Sequence, residues 1–417
     1  MTFSSDLPPR SAVITGMGVI APNGDGCDAF WKSLLRGVVA LDRVTREGCT
    51  ELPLRVAGEV RDFDPERLIE NRFLVQTDRF THFAMAAADL ALQDARLTGD
   101  PDAPFAVGVT TAAGSGGGEF GQHELQELWG HGPHFVGPYQ SIAWFYAAST
   151  GQISIRGGFR GPCGVLANDE AGGLDVFAHA CRAVRNGASA VVTGATEAPL
   201  APYSMVCQLG YPEISLAADP RRAYLPFTED ACGFSPAEGG AMFVVEREDS
   251  ARERDARARA RIAGHASTFT GTRGWEHSRE GLARAIQGAL AEAACPPDQV
   301  DVVFADALGV PAADQAEALA LGDALGARAA DVPVTAPKSG FGRAFSAAAT
   351  LDVAAAVLAL EHGIVPPTPN IAEVRVDLDV VTNQPRTAPL RTALVLSRGL
   401  MGCNSALVLR RAEEPRT

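Results

Sequence analysis

Residues 161–175, Gly161-Pro162-Cys163-Gly164-Val165-Leu166-Ala167-Asn168-Asp169-Glu170-Ala171-Gly172-Gly173-Leu174-Asp175, leave the chain few ways to fold. The apolar run Val165 to Ala167 reads as a short buried strand. Leu174, Val176, Phe177, Ala180 and Val184 then recur at helical spacing, so a helix opens almost at once. The turn between them holds Glu170, followed by Gly172 and Gly173. Small residues there let strand and helix pack closely and lift one side chain to the apex of a tight strand-to-helix elbow. Many acyl-transfer enzymes carry their nucleophile on such an elbow, near the positive end of the helix. Here the apex is a carboxylate. The frame is catalytic in shape and the residue does not fit it.

The same alternation of apolar strand and helix runs through the chain. The spacing predicts a strand over 11–18, a helix over 27–37, a helix over 77–95 and a strand over 105–110. Strands over 188–194 and 240–246 follow the elbow helix. A second series then echoes the first. A helix near 281–294 leads to a strand at 300–305, and a strand at 332–336 leads through a glycine-bearing turn to a helix containing Leu351-Asp352, as the elbow led to Leu174-Asp175. Strands at 392–396 and 405–409 close the series. These matches in order and spacing point to a duplicated βαβ-rich unit, one copy in residues 1–250 and one in 260–412. Apolar strands without clean alternation, each followed by a helix, imply an α/β fold whose sheet is covered on both faces.

Composition narrows the function. At 417 residues the chain can bury a large core, and a formal charge of −14 argues against nucleic acid and anionic membrane surfaces as partners. No apolar run reaches the roughly 18–20 residues of a membrane span, and residues 1–10 lack the layout of a signal peptide, so a cytoplasmic protein is expected. The 8 cysteines are scattered with no CxxC pair, which fits a reducing compartment without disulfides or a zinc site. His123, His131 and His134 read as loop residues rather than metal ligands, Cys163 as a small core residue, and Asp175 as a first-turn carboxylate that offsets the helix dipole. The Arg-rich run 252–261 reads as a solvated connecting helix or linker. Gly114 to Gly121 lacks the phosphate-cradling GxxxxGK[ST] pattern, so no nucleotide, cofactor or metal is expected.

Several stretches together resemble the β-ketoacyl synthases of the thiolase fold. They are Trp144-Phe145-Tyr146-Ala147 running into Thr150-Gly151-Gln152-Ile153-Ser154-Ile155-Arg156, and Ala171 to Asp175. Further on come Phe304-Ala305-Asp306-Ala307 with Gly309-Val310-Pro311, Pro337-Lys338-Ser339 with Gly342-Arg343, and Ser397-Arg398-Gly399 with Asn404-Ser405-Ala406. More narrowly the chain resembles the chain-length factors, the ketosynthase β subunits of type II aromatic polyketide synthases. The resemblance covers nearly the full length and implies a thiolase-like architecture of duplicated halves layered α-β-α-β-α.

A condensing ketosynthase needs a thiolate to carry the acyl chain and two histidines for malonyl decarboxylation and charge stabilisation. By the resemblance, the cysteine position is taken by Glu170, the first histidine position by Asp306 and the second by Arg343; Lys338 is retained. A carboxylate cannot hold an acyl thioester and Arg343 is no base near neutral pH. Chain-length factors typically carry glutamine at the elbow, so Glu170 departs even from that pattern, and pairing with Lys338 or Arg343 is its expected state.

The resemblance implies a subunit that pairs with an active ketosynthase α subunit and shapes a tunnel for a polyketide built from malonyl units on acyl carrier protein. Gate positions on the tunnel-lining helix near 118–129 would be Gly118, Gly121 and Leu125, whose small members favour a decaketide or longer product. The aromatic cluster Trp144, Phe145, Tyr146 is expected in the core or at the subunit interface. Two alternatives stand beside this reading. One is a malonyl decarboxylase or condensing enzyme that acts unaided through Glu170 or Cys163; the other is a purely structural scaffold.

Overall fold

A computed structural model describes residues 12–100, 102–271 and 274–412; Ser11, at the start of the first expected strand, lies outside them. The first half of the chain contributes β1 (Ala12–Ala21), α1 (Arg79–Ala95), β2 (Val107–Ala112), α2 (Gly118–His131), α3 (Ala148–Gly157), β3 (Cys163–Leu166), α4 (Gly172–Arg185), β4 (Ala190–Glu197), α5 (Pro202–Gln208) and β5 (Gly239–Arg247). The second contributes β6 (Ala260–Phe269), α6 (Trp275–Glu292), β7 (Val302–Phe304), α7 (Pro311–Leu325), β8 (Pro333–Thr335), α8 (Phe345–His362), β9 (Thr392–Arg398) and β10 (Cys403–Arg411).

These strands lie in the spatial order β3-β2-β4-β5-β1-β6-β10-β9-β7-β8, with short strands Asp379–Val380 beyond β8 and Gly24–Asp25 against β1. Outward from the β1/β6 junction, each half places its first, fifth, fourth, second and third strand in turn. Within each half the second strand runs parallel to the third and fourth, and the remaining neighbours run antiparallel. The duplication read from sequence spacing is therefore a property of the topology.

Helices fill the space around the strands in layers. α4 and α8 lie side by side between the two half-sheets and share one core with the inner faces of both, including Ile14, Phe243, Phe304 and Leu407. α1 covers the outer face of the first half through Phe80, Phe83 and Ala87, and α6 with α7 covers that of the second through Leu282, Ile286 and Leu321. Layers on both sides explain the unbroken apolar strands: every residue of β1, β4 and β9 is buried.

α8 corrects one expectation. Its 18 residues have the length and apolar character of a membrane span, yet Ser346 to Leu360 are all buried inside the protein. It is a core helix. Ser346, Thr350 and Asp352 break up the apolar run in the sequence and hide its length. Close approach of α4 to α8 depends on one glycine: a Cβ on Gly173 would lie 2.0 Å from the carbonyl oxygen of Ser346.

Two further expectations are corrected. Cys163 is exposed, because β3 is the outermost strand of the sheet and Cys163 is its first residue. The Arg-rich run connects the halves and leaves Arg252 and Arg257 exposed as expected, but it is not solvated throughout. After the short helix Glu248–Glu253 it becomes a seam of ion pairs, Arg254 to Glu246, Arg257 and Arg259 to Glu361, and Arg261 to Glu248.

Substituting Ala at Gly173 forces a methyl against backbone that cannot yield, at a cost of about 1–3 kcal/mol. Gly164→Ala, where an added Cβ meets nothing within 4 Å, is the matched control. Thermal unfolding of the purified chain should show a lowered midpoint for Gly173→Ala and an unchanged one for Gly164→Ala.

Candidate functional site

The turn from β3 into α4 puts its strain on Asp169, which has φ of 62°. Asp tolerates this left-handed conformation through its short polar side chain. Its carboxylate accepts the Met401 N–H at 2.7 Å, and a Cβ on Gly399 would come within 2.1 Å of it, so the elbow is locked against the loop after β9. Glu170 follows and points inward, 1% exposed. Four segments of the second half converge on this corner, Arg343 touching Glu170 directly. Asp306 lies just past the end of β7, Lys338 in the 3₁₀ turn Pro337–Gly340 after β8, Arg343 ahead of α8, and Arg398 at the last position of β9. Strand ends of an α/β sheet are where ligand sites form, and here they deliver charges.

Arg343 is the hub. Its Nε donates to Glu170 Oε2 at 2.6 Å, and its Nη2 lies 2.5 Å from the same oxygen, 2.8 Å from Asp306 Oδ1 and 2.6 Å from the Arg398 carbonyl. Nη1 donates to the Asp306 carbonyl at 3.1 Å. Asp306 receives Arg398 as well, through Nε at 3.0 Å and the backbone N–H at 2.9 Å. Arg398 continues to Glu317 at 2.9 Å, whose carboxylate also accepts the N–H groups of Asp306 and Ala307 at 2.7 and 2.8 Å. Lys338 pairs with Asp352 and donates to the Asp306 carbonyl at 3.1 Å. Glu170 thus pairs with Arg343, while Lys338 is turned to a carboxylate on α8.

Every member is sealed from solvent, with exposures of 0–2%. Removing charges from water is costly, and the cost is offset only where each is paired and hydrogen-bonded. Burial raises the Asp306 carboxyl, but the cations Arg343, Arg398 and Lys338 outweigh it and hold the group well below the usual range. Burial wins at Glu170, which rises from 4.5 to about 7 although Arg343 pulls it down. Asp352 is pushed up to about 6 and Asp314 to about 7 for the same reason. Arg343 is held well above its ordinary value: burial opposes its charge, but Asp306 and Glu170 overcome that. A guanidinium so placed is a permanent cation and neither takes nor gives a proton. The elbow offers no sulfur to acylate, and the space around Glu170 is filled by a salt-bridged cluster.

The other residues singled out from sequence lie apart from this cluster. Gly118 and Gly121 fall in the first turns of α2 and Leu125 further along it, 43% exposed. A Cβ on Gly118 would meet Ser204 Oγ on α5 at 2.3 Å, whereas one on Gly121 would rest at 3.8 Å from Trp144 Cβ. Trp144 and Phe145 are each 46% exposed, so the aromatic cluster is not core; its rings contact one another at 5.9 Å between Trp144 and Phe145 and 6.4 Å between Phe145 and Tyr146. His123 and His131 lie in α2 rather than in a loop, and His131 pairs with Glu127 one turn before it. Asp175 does more than offset a dipole: it accepts from Ser405 Oγ at 2.7 Å and contacts His265 Nε2 at 2.8 Å, stitching α4 to β10 and β6. Sequence reasoning assigned no role to Arg398 or Glu317. A signal was present: Asp314 and Glu317 sit among Ala313, Ala316 and Ala320 on the buried side of α7, where unpaired carboxylates would not be tolerated.

This architecture and elbow define a condensing-enzyme scaffold, and comparison with known proteins agrees. The sequence matches the family "Beta-ketoacyl synthase, N-terminal domain" over residues 10–251 and "Beta-ketoacyl synthase, C-terminal domain" over residues 259–372. The chain belongs to the β-ketoacyl synthase family. It is 70% identical over 408 residues, 98% of this chain and 99% of the relative, to the Streptomyces halstedii protein named "Putative polyketide beta-ketoacyl synthase 2". It is 50% identical over 407 residues, 97% and 99% of the two chains, to the tetracenomycin polyketide synthase ketoacyl synthase beta subunit of Streptomyces glaucescens. Among solved structures it is similar to the ishigamide ketosynthase/chain length factor, with a TM-score of 0.86 at 26% identity, covering 97% of this chain and 100% of that one.

Taking one partner from a buried ion pair costs about 3–5 kcal/mol, because the other is left charged and dry. Arg343→Met should therefore lower the denaturation midpoint steeply, and adding Glu170→Gln should recover part of the loss. Glu170 also makes stability depend on pH. Between its ordinary 4.5 and about 7 the folded chain keeps a proton that the unfolded chain has released. Its contribution is thus fully present below that window and lost as pH rises through it. Denaturant titrations across pH 4.5–7.5 should show a shallower fall for Glu170→Gln than for the parent.

Proposed function

We propose that the chain is the non-catalytic, chain-length-determining subunit of a heterodimeric type II polyketide ketosynthase in the cytoplasm. The observation that carries this reading is the occupied centre: Glu170, Arg343 and Asp306 are paired and buried, and the resemblance assigns to them the positions of the cysteine and two histidines. A ketosynthase α subunit supplies those three groups. Malonyl units and the growing chain arrive on acyl carrier protein, and a solved relative with a TM-score of 0.85 at 27% identity is a type II PKS acyl-carrier protein in complex with its ketosynthase bound to the hexaketide.

The surface supports a partner. Among the described residues β3 ends the sheet with no strand on its outer edge, and an open edge is an invitation to pairing that a monomer would have to blunt. Close to the α2–α5 contact, Leu125, Trp129, Trp144, Phe145, Tyr203 and Val206 are all exposed, at 43% or more. Aromatic anchors of this kind are enriched in interfaces, and a permanent pair buries on the order of 2,000 Å² or more. Gly118, Gly121 and Leu125 then gate the tunnel between the subunits, and the two glycines leave it open for a decaketide or longer chain.

Co-expression with a cognate ketosynthase α subunit and acyl carrier protein, followed by product mass, tests this. Gly121→Trp should shorten the polyketide by one or more two-carbon units, and Gly118→Phe should do so after displacing Ser204. An intact complex that makes the parent length from Gly121→Trp would leave only a scaffold.

A further inference from the structure

The helix that carries the gate has little of its own to hold it. Among its residues only Glu124 is buried, and its N-cap, Gly117, offers no side chain to the first-turn N–H groups. The approach to it runs through Gly114, Ser115, Gly116 and Gly117, which are costly to order because glycine loses the most conformational freedom. Such an entrance would fray unless something outside it fixed the backbone.

Two buried carboxylates do. Asp78, 2% exposed, uses one oxygen to cap its own helix α1 through the Phe80 N–H at 3.1 Å. Its other oxygen takes the Phe120 N–H of α2 at 2.8 Å. Glu197, 0% exposed at the end of β4, accepts the Gly114 N–H at 2.5 Å, the Ser115 N–H at 3.0 Å and the Ser115 hydroxyl at 2.5 Å. Neither forms an ion pair among the described residues, and burial pushes both carboxyls up to about 7. A serine would cap α1 with far less desolvation. Only a carboxylate has two oxygens to give to two different helices.

We propose that Asp78 and Glu197 are positioning residues that set where α2 begins, and through it which polyketide length the tunnel admits. The proposal rests on the chain-length reading above. Glu197 fixes the loop at 114–115 and Asp78 fixes the helix at 120, so Gly118 is pinned between two anchored points and Gly121 follows one residue later. Loss of either anchor lets the first turn of α2 shift, and a shift there changes the tunnel wall without touching any reacting atom.

The test uses the full complex. Asp78→Ser keeps a cap for α1 but cannot reach α2; Glu197→Gln keeps one acceptor oxygen of two. Both complexes should assemble and consume malonyl carrier protein at an initial rate within about twofold of the parent, yet yield a mixture of chain lengths. Amide exchange over 114–120 should rise about tenfold, the weight of one hydrogen bond. A purely structural role would lower rate and yield together and leave the length distribution alone. Parent-like product lengths from both variants, with exchange faster, would overturn the proposal. If the variants do not assemble, the parent decides: the Ser115 and Phe120 amides should be the most protected in the segment, and free exchange there would overturn it equally. Gly121→Trp is the control. If it too leaves length unchanged, the chain-length reading itself has failed; if it shortens the product while the two anchor variants do not, only the anchoring proposal falls.

Discussion

One guanidinium decides what this fold can do. Arg343 sits 2.5 Å from Glu170 and 2.8 Å from Asp306, with all three groups out of reach of water. In that setting none of them is free to react. A carboxylate engaged by an arginine is a poor nucleophile, and the arginine holds its proton throughout. The cluster extends through Arg398 to Glu317, so the charges neutralise one another over several strand ends instead of leaving one to seek solvent. In this centre Glu170, Asp306 and Arg343 are all engaged with one another.

The scaffold around it explains why a change of residue at the elbow need not cost the fold. Five layers, with α4 and α8 between two half-sheets, bury a core that owes nothing to the elbow residue. What the architecture demands at that corner is backbone geometry: a left-handed Asp169, Gly173 beneath Ser346, and Gly399 against Asp169. The apex side chain is then open to replacement, provided that whatever enters is matched in charge by the neighbouring strand ends. Glu170 satisfies that through Arg343. Polar anchors elsewhere follow the same rule, with Asp175 joining α4 to the second half through Ser405 and His265.

Much of this was legible in the sequence because apolar periodicity and glycine placement carry it. The elbow and the duplicated halves follow from runs such as Val165–Ala167 and Leu174–Val184, although the first is no buried strand: in β3, at the end of the sheet, Val165 and Leu166 are half-buried, and Ala167 beyond it is exposed. That Glu170, Asp306, Lys338 and Arg343 belong to one site was readable because the motifs around them resemble those of the family. What was not legible depends on distance in space. Cys163 looks like a core residue until the sheet order makes β3 an edge. Within the Arg-rich run, nothing local separates the exposed Arg252 and Arg257 from Arg254 and Arg259, which Glu246 and Glu361 draw inward. Arg398 and Glu317 are 81 residues apart, and no local pattern says that they meet. Asp78 and Glu197 were passed over for the same reason, each acting on backbone rather than on a recognisable partner side chain.

The central claim is that the polypeptide must work through chemistry held by another subunit. The most direct test gives the purified chain malonyl carrier protein and follows carbon dioxide release together with the intact mass of the protein. The account predicts no release and no acyl adduct from the chain alone, with both appearing when an active ketosynthase subunit is added and the adduct carried by that subunit. Carbon dioxide release by the isolated chain that disappears in Glu170→Ala, or an acyl group on Cys163, would contradict it.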